Sequence, residues 1–203
     1  MAGTWRTDGG AGLSRLVEEI RACRVCEEHL PLGPRPVVHL GLEAQVMIIG
    51  QAPGTKVHET GIPWNDPSGD RLRTWMDLDC PTFYDTDRIA IMPMGFCYPG
   101  KGKGGDLPPR PECAAKWHDR IWAQLPKIDL VLLVGRYAIE RYLPQPARKA
   151  TLAETVRSWN ADDGKYLPLP HPSPRNTLWL KRNPWFETDT VVQLRRRLRA
   201  YGL

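Results

Sequence analysis

The sequence has no apolar run of about 18 residues, which is the length that a membrane-spanning helix needs. Its beginning, Met1 to Gly12, is small and polar and lacks the apolar core of a signal peptide. Neither an internal repeat nor a second domain is evident. These absences predict a soluble cytoplasmic protein, expected to act as a monomer, whose residues 1–203 form a single domain with residues 1–12 as a flexible N-terminus.

The net charge of +5 is concentrated near the end of the chain. Residues 171–203 contain seven Lys or Arg and two Asp or Glu, whereas residues 1–170 contain 21 of each sign. A local excess of positive charge favours a polyanion as the partner. For the arginines at 195–197 and 199, a solvated basic helix explains the charge equally well.

Short apolar runs alternate with helical patterns along the chain. The runs predict four buried strands at residues 46–49, 88–92, 129–134 and 166–169. Helical patterns lie at 13–20, from a cap at Ser68 to Leu78, and at 112–125, 137–142 and 188–201, with a polar loop before Ser68. The alternation predicts an α/β protein of three layers, with a central parallel sheet of about four strands flanked by helices. Sites in such sheets form beyond the carboxyl ends of the strands.

The sequence HPSPRN, from His171 to Asn176, follows the last predicted strand. Prolines at 170, 172 and 174 prevent a helix there and stiffen the backbone around the histidine. A rigid loop at a strand end suits an imidazole that must be held at one point. The segment 179–185 behind it mixes aromatic and cationic side chains, which suits stacking on bases beside a phosphate backbone, although Trp179 and Trp185 would equally well anchor the tail.

Four of the five cysteines form two pairs. Cys23 and Cys26 have C-x2-C spacing, and Cys97 and Cys113 are separated by fifteen residues. Two pairs in a reducing compartment suggest a metal site, and both zinc and an iron–sulfur cluster accept four thiolates. Spacing alone does not choose between these metals, and four unrelated buried thiols are the remaining alternative.

Several motifs occur in an order that resembles the uracil-DNA glycosylase superfamily. They are GQAPG at 50–54, TGIPWNDPSGD at 60–70, the paired cysteines and HPSPRN, and they cover the chain from Cys23 to about Asn176. The iron–sulfur branches, families 4 and 5, look closest. The resemblance implies that Cys23, Cys26, Cys97 and Cys113 hold a structural 4Fe-4S cluster rather than zinc.

The resemblance also implies roles for residues in the other motifs. The catalytic residues would be His171, which donates to the carbonyl oxygen of a flipped-out base, together with Asp66 and Gln51. The base pocket would be formed by Gln51, Ala52, Gly54, Trp64, whose ring would stack on the base, and Pro93. Contacts with DNA would come from Lys101, Lys103, Ser173, Arg175, Asn176, Lys181 and Arg182, with Arg110 in the same Gly/Lys/Pro-rich loop as a further phosphate contact.

Three positions depart from the family patterns. Ala52 replaces the water-activating aspartate of family 1, as in family 4, and Pro93 stands where family 4 has an asparagine that reads uracil. Gly54 lacks the tyrosine with which family 1 excludes the thymine methyl group.

The expected activity is that of a monofunctional glycosylase acting on DNA that contains uracil or another deaminated base. No lysine stands out as a Schiff-base nucleophile, so we expect hydrolysis. Two alternatives remain: a non-catalytic iron–sulfur or zinc nucleic-acid-binding module on the same fold, and a nucleotide hydrolase. The second is weakened because GQAPG lacks the G-K-[ST] ending of a phosphate-binding loop.

Overall fold

The structure, a computed structural model, describes residues 10–159 and 164–203. Its strands in chain order are β1 (Val46–Ile49), β2 (Ile89–Ile91), β3 (Lys101–Gly102), β4 (Gly105–Asp106), β5 (Leu130–Val134) and β6 (Tyr166–Leu169). Four of them form one parallel sheet in the order β2-β1-β5-β6, whereas β3 and β4 pair separately as an antiparallel hairpin.

The sheet is apolar on both faces, which explains why its strands read as continuous apolar runs. In β1, Met47 and Ile49 face one buried cluster, while Val46 and Ile48 face the other. Strand β5 alternates in the same way. Each face therefore needs a covering layer of helices.

The helices that supply these layers are short. They are α1 (Ala11–Arg21), α2 (Thr55–Thr60), α3 (Pro67–Met76), α4 (Cys80–Phe83), α5 (Pro111–Cys113), α6 (Asp119–Gln124), α7 (Arg136–Tyr142), α8 (Leu152–Arg157), α9 (Thr177–Arg182) and α10 (Val191–Arg199). Helices α1, α6 and α7 contribute to the cluster on one face, and α3, α8 and α10 to the cluster on the other. A π-helical turn, Ala114–His118, joins α5 to α6, and another, Phe186–Thr190, leads into α10.

The α/β class and the four-stranded parallel sheet predicted from the sequence are confirmed. Helices α2, α4, α8 and α9 and the β3–β4 hairpin were not predicted, and α2 lies where a polar loop was expected. Helix α1 begins at Ala11, so the last part of the segment expected to be flexible is helical, and residues 1–9 lie outside the described residues. Within the described part of the chain, every helix is too short or too polar to cross a membrane.

Candidate active site

The loops that leave the four parallel strands meet at the carboxyl edge of the sheet. The loop after β2 is tied to the loop after β1, because Met94 donates its N–H to the Gly50 carbonyl oxygen and Gly95 donates to that of Gln51, both at 2.9 Å. The Gly135 N–H, after β5, donates to the Leu169 carbonyl oxygen at 2.9 Å. Strands β1 and β5 are neighbours whose connections lead to opposite sides, so this edge is the switch point at which α/β sheets bind ligands.

One pocket opens at this edge, and we call it the edge pocket. Its wall includes six residues that the sequence predicted for catalysis or base binding: Ala52, Gly54, Trp64, Asp66, Pro93 and His171. Asp106, which was not predicted, also lines it. Residues from four separate loops and one hairpin therefore face the same space.

The backbone around His171 fixes which ring nitrogen carries the proton. The Ser173 N–H donates to His171 Nδ1 at 3.2 Å, so Nδ1 is the acceptor and the proton of the neutral ring is on Nε2. Asn176 Nδ2 donates to the His171 carbonyl oxygen at 2.8 Å. Arg71 of α3 donates to the carbonyl oxygens of Pro172 and Ser173 at 3.2 Å each, so α3 also holds the loop.

Burial keeps the His171 ring neutral. Removal from water lowers the pKa of His171 to about 4, the Asp66 carboxylate acts in the opposite direction, and the Arg175 guanidinium lowers this pKa further. At neutral pH the ring is thus an uncharged hydrogen-bond donor through Nε2.

Trp64 lies beside His171 in a strained backbone conformation. The two ring centroids are 5.7 Å apart with an angle of 33° between the planes. Trp64 has φ 57°, a left-handed value that is rare outside glycine, and such strain persists only where the surroundings impose it. Here Arg73 donates to the Trp64 carbonyl oxygen at 3.2 Å, and the Tyr84 hydroxyl donates to that of Pro63 at 2.8 Å.

Asp66 caps helix α3, so the predicted cap at Ser68 is wrong. Its Oδ1 accepts the Gly69 N–H at 2.9 Å, and Pro67 occupies the first helical position, where proline is favoured. The cap holds the Asp66 carboxylate in the wall of the edge pocket. Asp70 lies in the first turn, as the sequence suggested, and pairs with Arg73 at 2.6 Å.

Gln51 does not line the edge pocket with the other predicted residues. Its Nε2 lies 2.7 Å from the point that a Cβ on Gly135 would occupy, and the His171 Cβ lies 3.4 Å from the same point. The Gln51 side chain therefore sits behind the histidine, where only a glycine at 135 leaves room for it.

A buried network holds Pro93, and the sequence gave no sign of it. His118 Nε2 donates to the Pro93 carbonyl oxygen at 3.2 Å, and Nδ1 accepts from the Tyr142 hydroxyl at 2.5 Å. The His118 ring lies nearly parallel to the rings of Phe96 and Tyr142, with centroids 5.5 and 5.9 Å away, and burial lowers its pKa to about 4. We assign His118 a structural role, because it does not line the edge pocket and contacts it through the Pro93 carbonyl oxygen.

The predicted DNA-binding residues lie on three segments of the chain. Lys101 and Lys103 are exposed on the β3–β4 hairpin, and Lys181 and Arg182 are exposed at the end of α9. Ser173, Arg175 and Asn176 lie on the loop after His171, where the Ser173 hydroxyl accepts the Arg175 N–H at 3.2 Å. Arg110 pairs with Glu112 beside Cys26, and its contact with a phosphate stays a prediction.

The tail beyond the edge pocket is anchored in the core. Trp179 and Trp185 pack around Phe186, with ring centroids 5.7 and 6.4 Å away, and Phe186 in turn contacts Trp75 at 4.8 Å. Arg195 donates to the carbonyl oxygens of Thr74 and Trp75 at the end of α3. Of the two roles considered for the tryptophans, the structure favours anchoring over base stacking.

The four paired cysteines line one cavity, which we call the cysteine cavity: Cys23, Cys26, Cys97 and Cys113. Burial raises the pKa of Cys97 to about 11 and that of Cys113 to about 12. The Phe96 N–H donates to Cys113 Sγ at 3.4 Å. Cys80 is exposed and does not line this cavity. Across residues 10–159 and 164–203, no three His, Cys, Asp or Glu side chains are placed to hold a single metal ion.

Comparison with known families agrees with this arrangement. The family model of the uracil DNA glycosylase superfamily matches residues 38–195, a range that contains every strand of the sheet and every residue of the edge pocket except Val37. Five residues that line the cysteine cavity precede the matched range: Cys23, Cys26, Leu30, Pro34 and Pro36. The chain therefore belongs to the uracil DNA glycosylase superfamily.

Proposed function

We propose that the protein is a monofunctional DNA glycosylase that removes uracil or another deaminated base and leaves an abasic site. The observation that carries the proposal is the edge pocket, in which a neutral imidazole donor, an indole ring and a carboxylate face one space. A base inside a duplex is out of reach of such a pocket, so it must be flipped out or taken from a single strand.

Each of the three groups has a role in breaking the N-glycosidic bond. The departing base becomes an anion, and His171 Nε2–H would donate to the oxygen on which the negative charge develops. The sugar becomes an oxocarbenium ion, and the Asp66 carboxylate would offset its charge and orient the attacking water. Trp64, held beside His171, would stack on the flipped base. Gln51, behind His171, would support the position of the ring.

The DNA would run along the exposed cations around the edge pocket. Lys101 and Lys103 on the hairpin and Lys181 and Arg182 at the end of α9 would contact phosphates, which positions the strand without reading its sequence. Because such contacts release counterions, binding should weaken steeply with salt.

The activity is testable by strand scission in alkali after incubation with labelled oligonucleotides. We expect release of one or more of uracil, hypoxanthine and xanthine, and no release of a normal base, in single- or double-stranded DNA.

Ala52 and Pro93 place no polar side chain where related families have aspartate and asparagine, which favours a binding module as the second candidate. DNA binding without release of any base would support that module and contradict the glycosylase proposal.

We also propose that Cys23, Cys26, Cys97 and Cys113 hold a 4Fe-4S cluster, as in families 4 and 5. Zinc keeps four thiolates at about 2.3 Å from one ion, whereas a cluster has a separate iron for each thiolate. The four cysteines line one cavity, and the resemblance to families 4 and 5 favours the cluster over zinc. The Phe96 N–H bond to Cys113 Sγ is of the kind that tunes cluster sulfurs. Bound there, the group would be structural, joining the N-terminal segment to the loop before α5.

The metal proposal predicts a brown protein that contains iron. Cys97→Ser is expected to lose the colour and most of the iron, and to unfold at a lower temperature, because one buried ligand of four is removed. Cys80→Ser is the matched control, since Cys80 is exposed and outside the cysteine cavity, and it should keep both. Zinc without iron in the wild-type protein, or full iron content in Cys97→Ser, would contradict the assignment.

A further inference from the structure

Asp106 lines the edge pocket but takes no part in the catalytic roles proposed above. It belongs to β4 of the hairpin, and its Oδ2 lies 3.6 Å from the point that a Cβ on Gly54 would occupy. Within residues 10–159 and 164–203 its carboxylate accepts no hydrogen bond and joins no ion pair, in contrast to Asp66, which caps a helix. Asp106 is an exposed residue, and its carboxylate faces the space that glycine leaves at 54.

The position of Asp106 is fixed by the loop that carries His171. The Arg175 guanidinium lies directly over Gly105, since a Cβ on Gly105 would be only 1.6 Å from Arg175 Nη1. Gly105 has φ 139°, a conformation that other residues avoid. At the base of the hairpin, the Leu107 N–H donates to the Gly100 carbonyl oxygen at 2.8 Å. The hairpin and the HPSPRN loop therefore hold Asp106 and His171 in one pocket wall.

The other groups near Asp106 offer little to read a base. Ala52 and Gly54 have no polar side-chain atoms, Pro93 has no N–H, and the Pro93 carbonyl oxygen already accepts from His118. An ionised carboxylate only accepts hydrogen bonds. It therefore attracts a ring N–H and repels an unprotonated ring nitrogen.

We propose that Asp106 reads the flipped base by accepting a hydrogen bond from its ring N–H. This inference rests on the proposed glycosylase function and names its substrate class. Deamination of cytosine or adenine turns an unprotonated ring nitrogen of the pairing edge into an N–H donor. A carboxylate aimed at this position favours uracil or hypoxanthine over the parent base, and so supplies discrimination that Ala52, Gly54 and Pro93 do not.

The test pairs a change in the enzyme with a change in the base. Single-turnover release is measured for the preferred deaminated base and for its ring-N-methylated form, 3-methyluracil or 1-methylhypoxanthine, in the wild type, Asp106→Ala and Asp106→Asn. Loss of the acceptor predicts that Asp106→Ala releases the deaminated base about 10- to 100-fold more slowly, whereas Asp106→Asn, whose amide oxygen still accepts a hydrogen bond, should lose less. The ratio of rates between the unmethylated and methylated bases should fall by about the same factor in Asp106→Ala.

Asp87→Asn is the matched control, because Asp87 is exposed and does not line the edge pocket, and its rates should equal those of the wild type. An active wild type whose base ratio is unchanged in Asp106→Ala would overturn the role of Asp106 and leave the glycosylase proposal standing. A wild type that releases no base would overturn both. Retained DNA affinity in the variants would separate base reading from a loss of folding.

Discussion

His171→Ala is expected to slow base release by about 10²–10³-fold, the typical cost of removing one donor that stabilises a developing anion. The structure makes Nε2 the protonated nitrogen of a ring whose Nδ1 accepts from Ser173, so alanine removes the donor itself. DNA affinity should change little, because the substitution removes no charge and leaves Arg175 and the exposed cations of the other segments in place. Single-turnover release and a binding titration on the same oligonucleotide would measure the two quantities separately.

Two controls accompany this substitution. His29→Ala removes an exposed histidine of the short 3₁₀-helix Glu27–His29 and should leave the rate unchanged. Thermal unfolding of His171→Ala should remain cooperative, which would exclude loss of the fold as the cause. A rate for His171→Ala within about threefold of the wild-type rate would contradict a donor role, given the factor of about 10² expected at least.

The lowered pKa of His171 predicts how the rate of base release responds to pH. An ordinary histidine gains its proton as the pH falls through about 6.5, whereas His171 stays neutral until about pH 4. The wild-type rate should therefore show no step near pH 6.5 between pH 5 and 8. A step there that disappears in His171→Ala would show that the ring titrates normally and would contradict the lowered pKa of His171.

The sheet was predictable from sequence because its strands are buried on both faces and so read as apolar runs. HPSPRN was predictable as a fixed loop because proline restricts its own backbone and that of the preceding residue. Both signals are local. The same reasoning missed the cap at Asp66 although the signal was present, since Asp66 followed by Pro67 is a favoured helix start.

Other parts of the site depend on contacts between distant segments. His118 meets Pro93 and Tyr142, which lie 25 and 24 residues away, so its role appears only in the folded chain. Asp106 lies in a glycine-rich stretch with no pattern that predicts a pocket residue. Its position depends on Arg175 packing over Gly105, a contact between residues 70 positions apart. Local periodicity carries no information about contacts between residues that are distant in the sequence.

Gly69→Ala is expected to destabilise the protein by about 2–4 kcal/mol, the range of a severe steric change in a packed region. A Cβ on Gly69 would lie 1.7 Å from the Trp64 carbonyl oxygen, so the backbone at Trp64 would have to move. In an open helix the same change stabilises by about 0.5–1 kcal/mol. Denaturant-induced unfolding, compared with the wild type, measures the difference.

Gly12→Ala is the matched control for Gly69→Ala. Gly12 also lies in a helix, and its added Cβ would meet the Oε1 of Gln124 at 2.8 Å, the end of a flexible side chain that can turn away. We therefore expect Gly12→Ala to be neutral or stabilising by less than about 1 kcal/mol. Equal stabilities of the two variants would contradict the close approach at Trp64.

Gly69→Ala also tests whether the strained backbone conformation of Trp64 contributes to base release. Its φ of 57° is held by the close approach of Gly69 and by the bond from Arg73, and it places the indole 5.7 Å from the His171 ring. Displacement by about 1 Å from a catalytic position costs up to about 10²-fold in rate. Gly69→Ala should therefore lose base release under conditions in which it is still fully folded. A folded variant with the wild-type rate would show that Trp64 belongs to the wall of the edge pocket and takes no part in holding the base.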